Sequence, residues 1–99
     1  MLDMRLGDKG EVLVSGRLDA SQAARAESFL ESVAEPRLMD LGGLEYISSA
    51  GLGVLLKVQK RLMKEGKGLV LLNVNTHIFD ILHYSGFDQL FEVRRAGGA

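Results

Sequence analysis

The chain has 99 residues, of which 46% are hydrophobic, so it is long enough for one domain with its own core and too short for two. Its formal net charge of −1 provides no global basic field that would point to nucleic acid or anionic lipid as a partner. The absence of cysteine excludes a disulfide framework and a cysteine-ligated zinc site.

The first predicted elements form a hairpin. Two short apolar-rich runs, residues 2–6 and 11–16, flank the segment Gly7-Asp8-Lys9-Gly10. Glycine and aspartate are residues that tight turns prefer, so the two runs predict a pair of antiparallel strands.

A helical period follows the hairpin, over residues 19–35. Apolar residues recur on one side of this segment and acidic residues lie on the other, which predicts an amphipathic helix. We expect Asp19 or Ser21 to cap the helix, and Asp19 and Gln22 have the spacing of a capping box. Pro36 follows the end of the helix.

A strand and a second helix come next. Residues 37–41 predict a short buried strand that ends at Gly42-Gly43. Leucines at helical spacing then predict a helix that begins near Ser48 or Ser49 and ends at Gly66.

The last third of the chain predicts two more strands and a third helix. Residues 69–74 are apolar at consecutive positions, as expected of a strand covered on both faces. Asn75 or Thr76 caps a short helix that stops at Ser85-Gly86. Residues 89–93 predict the final strand.

This order of elements predicts a single α/β domain over residues 1–93, with a flexible tail over residues 94–99. Right-handed crossovers give a mostly parallel sheet of four to five strands, with an antiparallel first strand and about three main helices. The first residues lack the pattern of a signal peptide, and the apolar runs are far shorter than the ~20 residues of a membrane span. We therefore expect a soluble, cytoplasmic protein.

A candidate site lies where three loops leave the carboxyl ends of the parallel strands, because ligands and partners gather there. We expect Asp19, Ser48, Ser49, Asn73 and Asn75 to lie on this edge. Ser49 reaches the start of the second helix, where unpaired N–H groups and the helix dipole favour a phosphate. Serine is also a preferred N-cap, so Ser49 is a structural cap, a group that is modified, or both.

Two glycines follow in the first turn of this helix. Gly51 and Gly53 each cost the helix ~1 kcal/mol relative to alanine. Such a cost indicates a close approach, either of a packed backbone or of a partner.

The segment LEYISSAGLGVLL resembles the signature loop of STAS domains, a family named for sulphate transporters and anti-sigma factor antagonists. In this resemblance Ser49 falls on the serine that the family phosphorylates, and Ser48 stands where the family usually has aspartate. Ala50, Gly51 and Leu52 complete the motif. The resemblance covers nearly the whole chain, and it places Asp19 beside the phosphorylation loop.

The resemblance implies a switch that needs neither catalysis nor a cofactor. The unphosphorylated domain binds an anti-sigma factor that is also a serine kinase, and this binding frees the sigma factor. Phosphorylation of Ser49 abolishes binding, and a serine phosphatase restores it. We expect no direct nucleic-acid partner and no membrane partner. The expected partner-binding residues are Asp19, Ser48, Ser49, Ala50, Gly51, Leu52, Gly53 and Asn75.

Ser48 is a departure from the family pattern that leaves alternatives open. One carboxylate next to the acceptor is missing, and Asp19 is a second possible source of an acid. The change also allows phosphorylation at Ser48. A further alternative is a STAS-fold binding module in another complex, such as a lipid-transport complex or a signalling array, without control by phosphorylation.

Enzymatic and metal sites have weaker support. The Gly-x-Ser-x-Gly elbow of a serine hydrolase would need glycine at position 47, which is Ile47. His77 and His83 are six positions apart on one short helix and face different ways, and two histidines without cysteine make a poor metal site. We predict a protein that is not an enzyme.

The outer face of the second helix is predicted to be basic. It is either a solvated face or a contact for an acidic partner surface, where it would affect the association rate more than the affinity. Its residues are Lys57, Lys60, Arg61, Lys64 and Lys67.

Overall fold

Five strands form one sheet in which each strand lies beside its neighbour in sequence, in the order β1-β2-β3-β4-β5. The computed structural model describes residues 1–97. β1 is antiparallel to β2, and the other neighbours are parallel, which confirms the predicted α/β fold. The strands are β1 Leu2–Leu6, β2 Val12–Leu18, β3 Leu38–Ile47, β4 Val70–Val74 and β5 Glu92–Arg95.

Three α-helices connect the parallel strands, as predicted. They are α1 Ala23–Ser32, α2 Ser49–Met63 and α3 Thr76–Tyr84. A short 3₁₀ helix, Phe87–Gln89, also precedes β5, so the last strand begins at Glu92 and not at the predicted residue 89. β5 continues to Arg95, two residues into the predicted tail. Residues 98–99 lie outside the described residues.

One face of the sheet holds the hydrophobic core. A row of apolar side chains crosses this face, since Val12 pairs with Met39, Met39 with Leu71, and Leu71 with Val93. Right-handed crossovers between neighbouring parallel strands place every helix on the same face. The helices bury against this row the residues Ala26, Leu30, Leu55, Val58, Leu62, Ile78 and Leu82.

The opposite face of the sheet, called the open face below, is not covered by any helix that residues 1–97 form. Leu13, Asp40 and Leu72 pair across it, and Val70 is only partly buried there. The prediction that residues 69–74 are covered on both faces is therefore wrong. The consecutive strand order is the reason, because it puts all helices on one side.

β3 runs straight through Gly42-Gly43, so the prediction that these glycines end the strand is also wrong. The pairing of β2 with β3 shifts twice, and β3 has one extra residue at each shift. A Cβ on Gly43 would lie 2.6 Å from the Cβ of Ser15. The glycines therefore accompany β-bulges and a close strand approach, which are the usual reasons for glycine inside a strand.

A buried glutamine ties α2 to the rest of the domain. Gln59 is 7% exposed, and its Oε1 accepts a hydrogen bond from the N–H of Leu69 at 2.7 Å. Its Nε2 donates to the carbonyl oxygen of Leu90. Both ends of the amide are thus satisfied, and α2 is held to the start of β4 and to the loop before β5.

We predict that Gln59→Leu lowers the free energy of unfolding by about 1–3 kcal/mol, because the N–H of Leu69 loses its partner inside the core. Urea denaturation measures the loss. Lys60→Leu, which introduces leucine at the exposed neighbouring position, serves as the control and should change stability by no more than about 0.5 kcal/mol. Equal losses in the two variants would contradict the assigned role of the amide.

Candidate functional site

The two neighbouring serines at the start of α2 have different roles. Ser48 is the N-cap, with extended backbone angles, and its hydroxyl accepts a hydrogen bond from the N–H of Gly51 at 3.3 Å. Ser49 is the first helical residue and its side chain is exposed. Within residues 1–97, no hydrogen bond occupies the Ser49 hydroxyl. The interpretation of Ser49 as the cap is therefore wrong, and its hydroxyl is available to a partner.

The first turn of α2 lies directly against the end of β2. The N–H of Ser48 donates to the carbonyl oxygen of Leu18 at 3.0 Å. A Cβ on Gly51 would lie 2.6 Å from the same oxygen and 2.8 Å from Cγ1 of Ile47. Of the two explanations for this glycine, close packing of the backbone is the one that the structure supports.

Gly53 differs from Gly51 because a Cβ at this position would meet no atom within 4 Å. The fold of the described residues gives no steric reason for glycine here. The remaining explanation for Gly53 is the approach of a partner, and this stays a prediction.

The surface of this first turn is made of small groups. Ser49 is exposed, and Ala50 and Gly53 are partly exposed. Gly51 is buried, and Leu52 is only 5% exposed and belongs to the core. Ser49, Ala50 and Gly53 can therefore meet a partner directly, whereas Gly51 and Leu52 act on the surface only by positioning the turn.

Asp19 follows Leu18 and so lies in the loop beside this turn. Its Oδ1 accepts hydrogen bonds from the N–H of Ser21 at 3.1 Å and from the hydroxyl of Ser21 at 2.6 Å. The hydrogen bond from the Ser21 side chain is the main cause that lowers the pKa of the Asp19 carboxyl below its ordinary value. Asp19 therefore stays ionised at neutral pH and carries a negative charge at this edge.

The prediction that Asp19 or Ser21 caps α1 is wrong. Gln22 occupies the N-cap position, without a side-chain cap, because the helix begins only at Ala23. The Asp19 carboxylate instead closes the turn before the helix.

Asn75 caps α3, as one of the two predicted alternatives. Its Oδ1 accepts a hydrogen bond from the N–H of Ile78 at 2.9 Å, and its Nδ2 donates one to the carbonyl oxygen of Leu44 at 3.0 Å. Leu44 lies three strand residues before Ile47, which corresponds to about 10 Å at the usual rise of a strand. β3 extends well beyond the end of β4, so Asn75 lies set back from Ser48 and not level with it.

Asn73 is also displaced from the serines. It has a positive φ of 54°, and its Nδ2 donates to Oδ2 of Asp40 at 2.8 Å. Asp40 pairs with Leu13 and Leu72 on the open face, away from the helices. The structure thus brings Asp19 and the two serines together and places the two asparagines apart from them.

Sequence reasoning missed a pair of residues near the ends of β2 and β3. The guanidinium carbon of Arg17 lies 4.5 Å from the centre of the Tyr46 ring, and the two residues pair across the strands. They directly precede Leu18 and Ile47, which hold the first turn of α2. No local signal could have found the pair, because it depends on the β-bulge at Glu45.

Most of the predicted basic face of the second helix is used within the chain, and two of its five residues, Lys64 and Lys67, lie beyond the end of α2 at Met63. Lys57 pairs with Glu27 of α1 at 2.5 Å, and Lys67 pairs with Glu35. Arg61 donates to the carbonyl oxygen of Val33 at 2.9 Å. Only Lys60 and Lys64 of the five residues lack such a contact within residues 1–97, which reduces the support for an acidic partner at this face.

The described residues contain no group of three or more acidic and histidine side chains placed to hold a metal ion. His83 pairs with Asp88, at 3.0 Å between Nδ1 and Oδ2, and its ring stacks on Phe79. No helix formed by residues 1–97 combines the length and the hydrophobicity required to span a membrane.

Comparison with known proteins places the chain in a family. A family model described as "Mlab, STAS domain" matches residues 3–93. BtrV of Bordetella bronchiseptica, provisionally named an anti-sigma factor antagonist, is 39% identical over 78% of this chain, and the match spans 63% of that relative's length. The anti-sigma-B factor antagonist of Listeria monocytogenes is 28% identical over 92% of this chain and 83% of that relative.

Solved structures share the fold. An anti-sigma factor antagonist from Mycobacterium paratuberculosis matches 95% of this chain and 84% of its own, with a TM-score of 0.77 and 24% identity. Unphosphorylated SpoIIAA, an anti-sigma factor antagonist, has a TM-score of 0.68 at 14% identity, over 97% of this chain and 89% of its own. Phosphorylated SpoIIAA from Bacillus has a TM-score of 0.64 at 15% identity, over 94% of this chain and 90% of its own.

We predict that Ser48→Ala lowers the free energy of unfolding by about 1 kcal/mol, because the cap of α2 is lost. Ser49→Ala should change it by no more than about 0.5 kcal/mol. Ser48→Asp is the control that should keep the stability, since aspartate caps as well as serine. Chemical denaturation compares the three, and a loss in Ser49→Ala as large as that in Ser48→Ala would refute the division of roles.

We also predict opposite effects at the two glycines. Gly51→Ala should destabilise the domain by about 1–3 kcal/mol, because the new methyl group meets the Leu18 carbonyl. Gly53→Ala should stabilise it by up to about 1 kcal/mol, because alanine is the better helix former and the space is open. Thermal melting followed by circular dichroism tests both, and a stabilised Gly51→Ala variant would show that the packing at Leu18 is not limiting.

Proposed function

Because the chain belongs to the STAS domain family, we propose that it is an anti-sigma factor antagonist controlled by phosphorylation of Ser49. In its unphosphorylated form it binds an anti-sigma factor that is also a serine kinase, which releases the sigma factor. The kinase transfers the γ-phosphoryl group of ATP to the Ser49 hydroxyl, and binding is lost. A serine phosphatase restores the binding form. The chain itself acts by binding and not as an enzyme, and we place it in the cytoplasm.

The observation that carries this proposal is the free hydroxyl of Ser49 at the start of α2. A phosphoryl acceptor has to be exposed, and its modification should not cost the domain its structure. Ser48 supplies the cap, so the Ser49 oxygen can be modified without the loss of a hydrogen bond on which the helix depends. The first helical turn also tolerates the new charge, because its N–H groups and the helix dipole favour an anion.

The replacement of the usual aspartate by Ser48 agrees with this role. Aspartate and serine are both good N-caps, so the exchange keeps the start of α2 intact. What changes is the charge beside the acceptor, which is one unit less negative. Asp19 in the neighbouring loop is ionised and remains the acidic group of this surface. Asp19 is the acid that we propose for a kinase that requires one beside the acceptor.

The switch follows from the cost of burying the phosphate at the interface. A phosphoserine carries a charge of about −1.5 to −2, and the helix terminus stabilises it in the free domain by only roughly 0.3–1 kcal/mol. In the complex, a surface of small groups around Ser49 would bury the dianion without a partner, at a cost of about 3–4 kcal/mol. The cost in the complex is the larger effect, so phosphorylation weakens binding by about several hundredfold.

The fold is expected to remain unchanged during the switch. SpoIIAA resembles this chain in both its unphosphorylated and its phosphorylated forms, which supports a switch in which the phosphate acts on the interface and not on the folding of the domain.

The second candidate is a STAS-fold binding module in another complex, such as a lipid-transport complex or a signalling array, without control by phosphorylation. The observation in its favour is Ser48, since the carboxylate usual at this position is missing. The same surface around Ser49 would then bind its partner constitutively.

We predict that candidate anti-sigma factor serine kinases of the host, given ATP, phosphorylate Ser49 and lose their affinity for the product by about several hundredfold. Ser49→Ala should bind permanently, and Ser49→Asp should bind weakly. Ser28→Asp, with the same charge at an exposed position on α1, is the control that should bind normally. Mass spectrometry locates the phosphate, and calorimetry measures the affinity.

Three results would contradict the proposal in different ways. Phosphate found on Ser48 alone would show that Ser48, and not Ser49, is the acceptor. Tight binding of a kinase without phosphorylation would favour the unregulated module. Widespread changes in the amide NMR spectrum after phosphorylation would mean that the switch acts by refolding the domain.

A further inference from the structure

β1 presents one free edge of the sheet. In an antiparallel pair, the residues whose N–H and C=O groups face the partner strand alternate along the chain. The carbonyl oxygen of Met1 accepts from the N–H of Arg17 at 2.8 Å, and the N–H of Gly7 donates to the carbonyl oxygen of Glu11 at 2.7 Å. The odd-numbered residues of β1 therefore face β2. The N–H and C=O groups of Leu2, Met4 and Leu6, which we call the β1 edge row, point away from the sheet.

Little within the described chain covers this row. Nη1 of Arg25 donates to the carbonyl oxygen of Leu2 at 2.9 Å, and a carbonyl oxygen can accept a second hydrogen bond. Leu6 is 54% exposed although it is a large apolar residue. An edge strand with an uncovered backbone and an exposed leucine is a template for pairing with another strand.

The side chains of β1 are self-complementary about Met4. Asp3 and Arg5 lie on the open face on either side of it, and Leu2 and Leu6 lie on the helix-covered side. In an antiparallel pair of two β1 strands centred on Met4, each Asp3 comes opposite Arg5 of the second copy. Each Leu2 likewise comes opposite Leu6. Within one copy, the Asp3–Arg5 contact is long, at 3.8 Å, and both side chains are more than 60% exposed, so the charges are free to pair across the edge.

We propose that two copies of the chain associate through β1, antiparallel, about a twofold axis at Met4. The backbone groups fit this arrangement, because Met4 belongs to the β1 edge row and can exchange hydrogen bonds with Met4 of the second copy. Leu2 and Leu6 exchange them at either end. The result is a continuous sheet of ten strands, five from each copy, closed by a self-complementary interface of the kind that twofold dimers require.

The other edge of the sheet fits this role less well. β5 is one residue shorter than β1, and its opposite charges are already paired, with Arg94 and Glu92 2.6 Å apart. The guanidinium of Arg95 lies over the Phe79 ring at 4.1 Å. The charged side chains of β5 thus have close partners among residues 1–97, whereas Asp3 and Arg5 of β1 make only the long contact with each other.

The dimer leaves both Ser49 surfaces open. β2 and β3 run in opposite directions in the two copies, so the two Ser49 residues lie at opposite ends of the joined sheet. One dimer can therefore bind two partner molecules, and the association does not depend on the proposed phosphorylation.

Charge reversal in the full chain tests the pairing. In a dimer of Asp3→Arg, the new arginine of each copy lies opposite Arg5 of the other copy. In a dimer of Arg5→Asp, the new aspartate of each copy lies opposite Asp3 of the other copy. Each variant alone should dimerise at least about tenfold more weakly than the parent chain, because opposite pairs become like pairs. An equimolar mixture of the two variants should restore the dimer, since every charge then faces its opposite. Asp8→Arg, the same reversal in the β1–β2 turn, is the matched control and should dimerise normally.

Analytical ultracentrifugation from micromolar to millimolar concentration provides the measurement, with 10.8 kDa as the mass of the single chain. A concentration-dependent dimer that each single variant loses and the mixture recovers would establish the interface. A single chain at every concentration would overturn the proposal. A dimer that both Asp3→Arg and Arg5→Asp leave intact would also overturn it. A dimer that Glu92→Arg weakens and Asp3→Arg does not would locate the contact at β5 and overturn it as well.

Discussion

The close contact between the first turn of α2 and the carbonyl oxygen of Leu18 determines the geometry of the candidate site. A side chain at position 51 would collide with this oxygen, so glycine is required there. The same oxygen accepts a hydrogen bond from the N–H of Ser48, and the hydroxyl of Ser48 caps the helix by accepting a hydrogen bond from the N–H of Gly51. These contacts hold the start of α2 at the end of β2, and as a result Ser49 faces solvent.

The arrangement separates the residue that stabilises the helix from the residue at which we propose regulation. One serine holds the helix and the next one is free, so a charge can be added at Ser49 while the cap stays in place. This separation also explains why serine can replace the aspartate that the family usually has at position 48, because both residue types cap a helix. The replacement removes one negative charge beside the proposed acceptor and keeps an N-cap at the start of α2.

The one-sided sheet provides the second general feature of the molecule. Because the strands are in consecutive order, the helices of residues 1–97 cover one face of the sheet and leave the other face without a helix. Within the same residues, β1 has a neighbouring strand on one side only. The Ser49 surface lies at the carboxyl ends of β2 and β3, and the β1 edge row runs along the side of the sheet. The two surfaces share no residue, so the proposed partner and the proposed second copy would not compete for the same side chains.

The sequence by itself determined the order of elements, the α/β class and the position of Ser49 at a helix start, because periodicity, caps and turn residues are local signals. It also determined the Asn75 cap as one of two choices. Only the tertiary structure decided which serine caps α2, how far β3 continues past Gly42-Gly43 and which face of β4 is buried. It also set Asn75 back from the serines. These outcomes depend on strand register and on contacts such as Gly51 with Leu18, which join residues far apart in the chain and leave no local pattern.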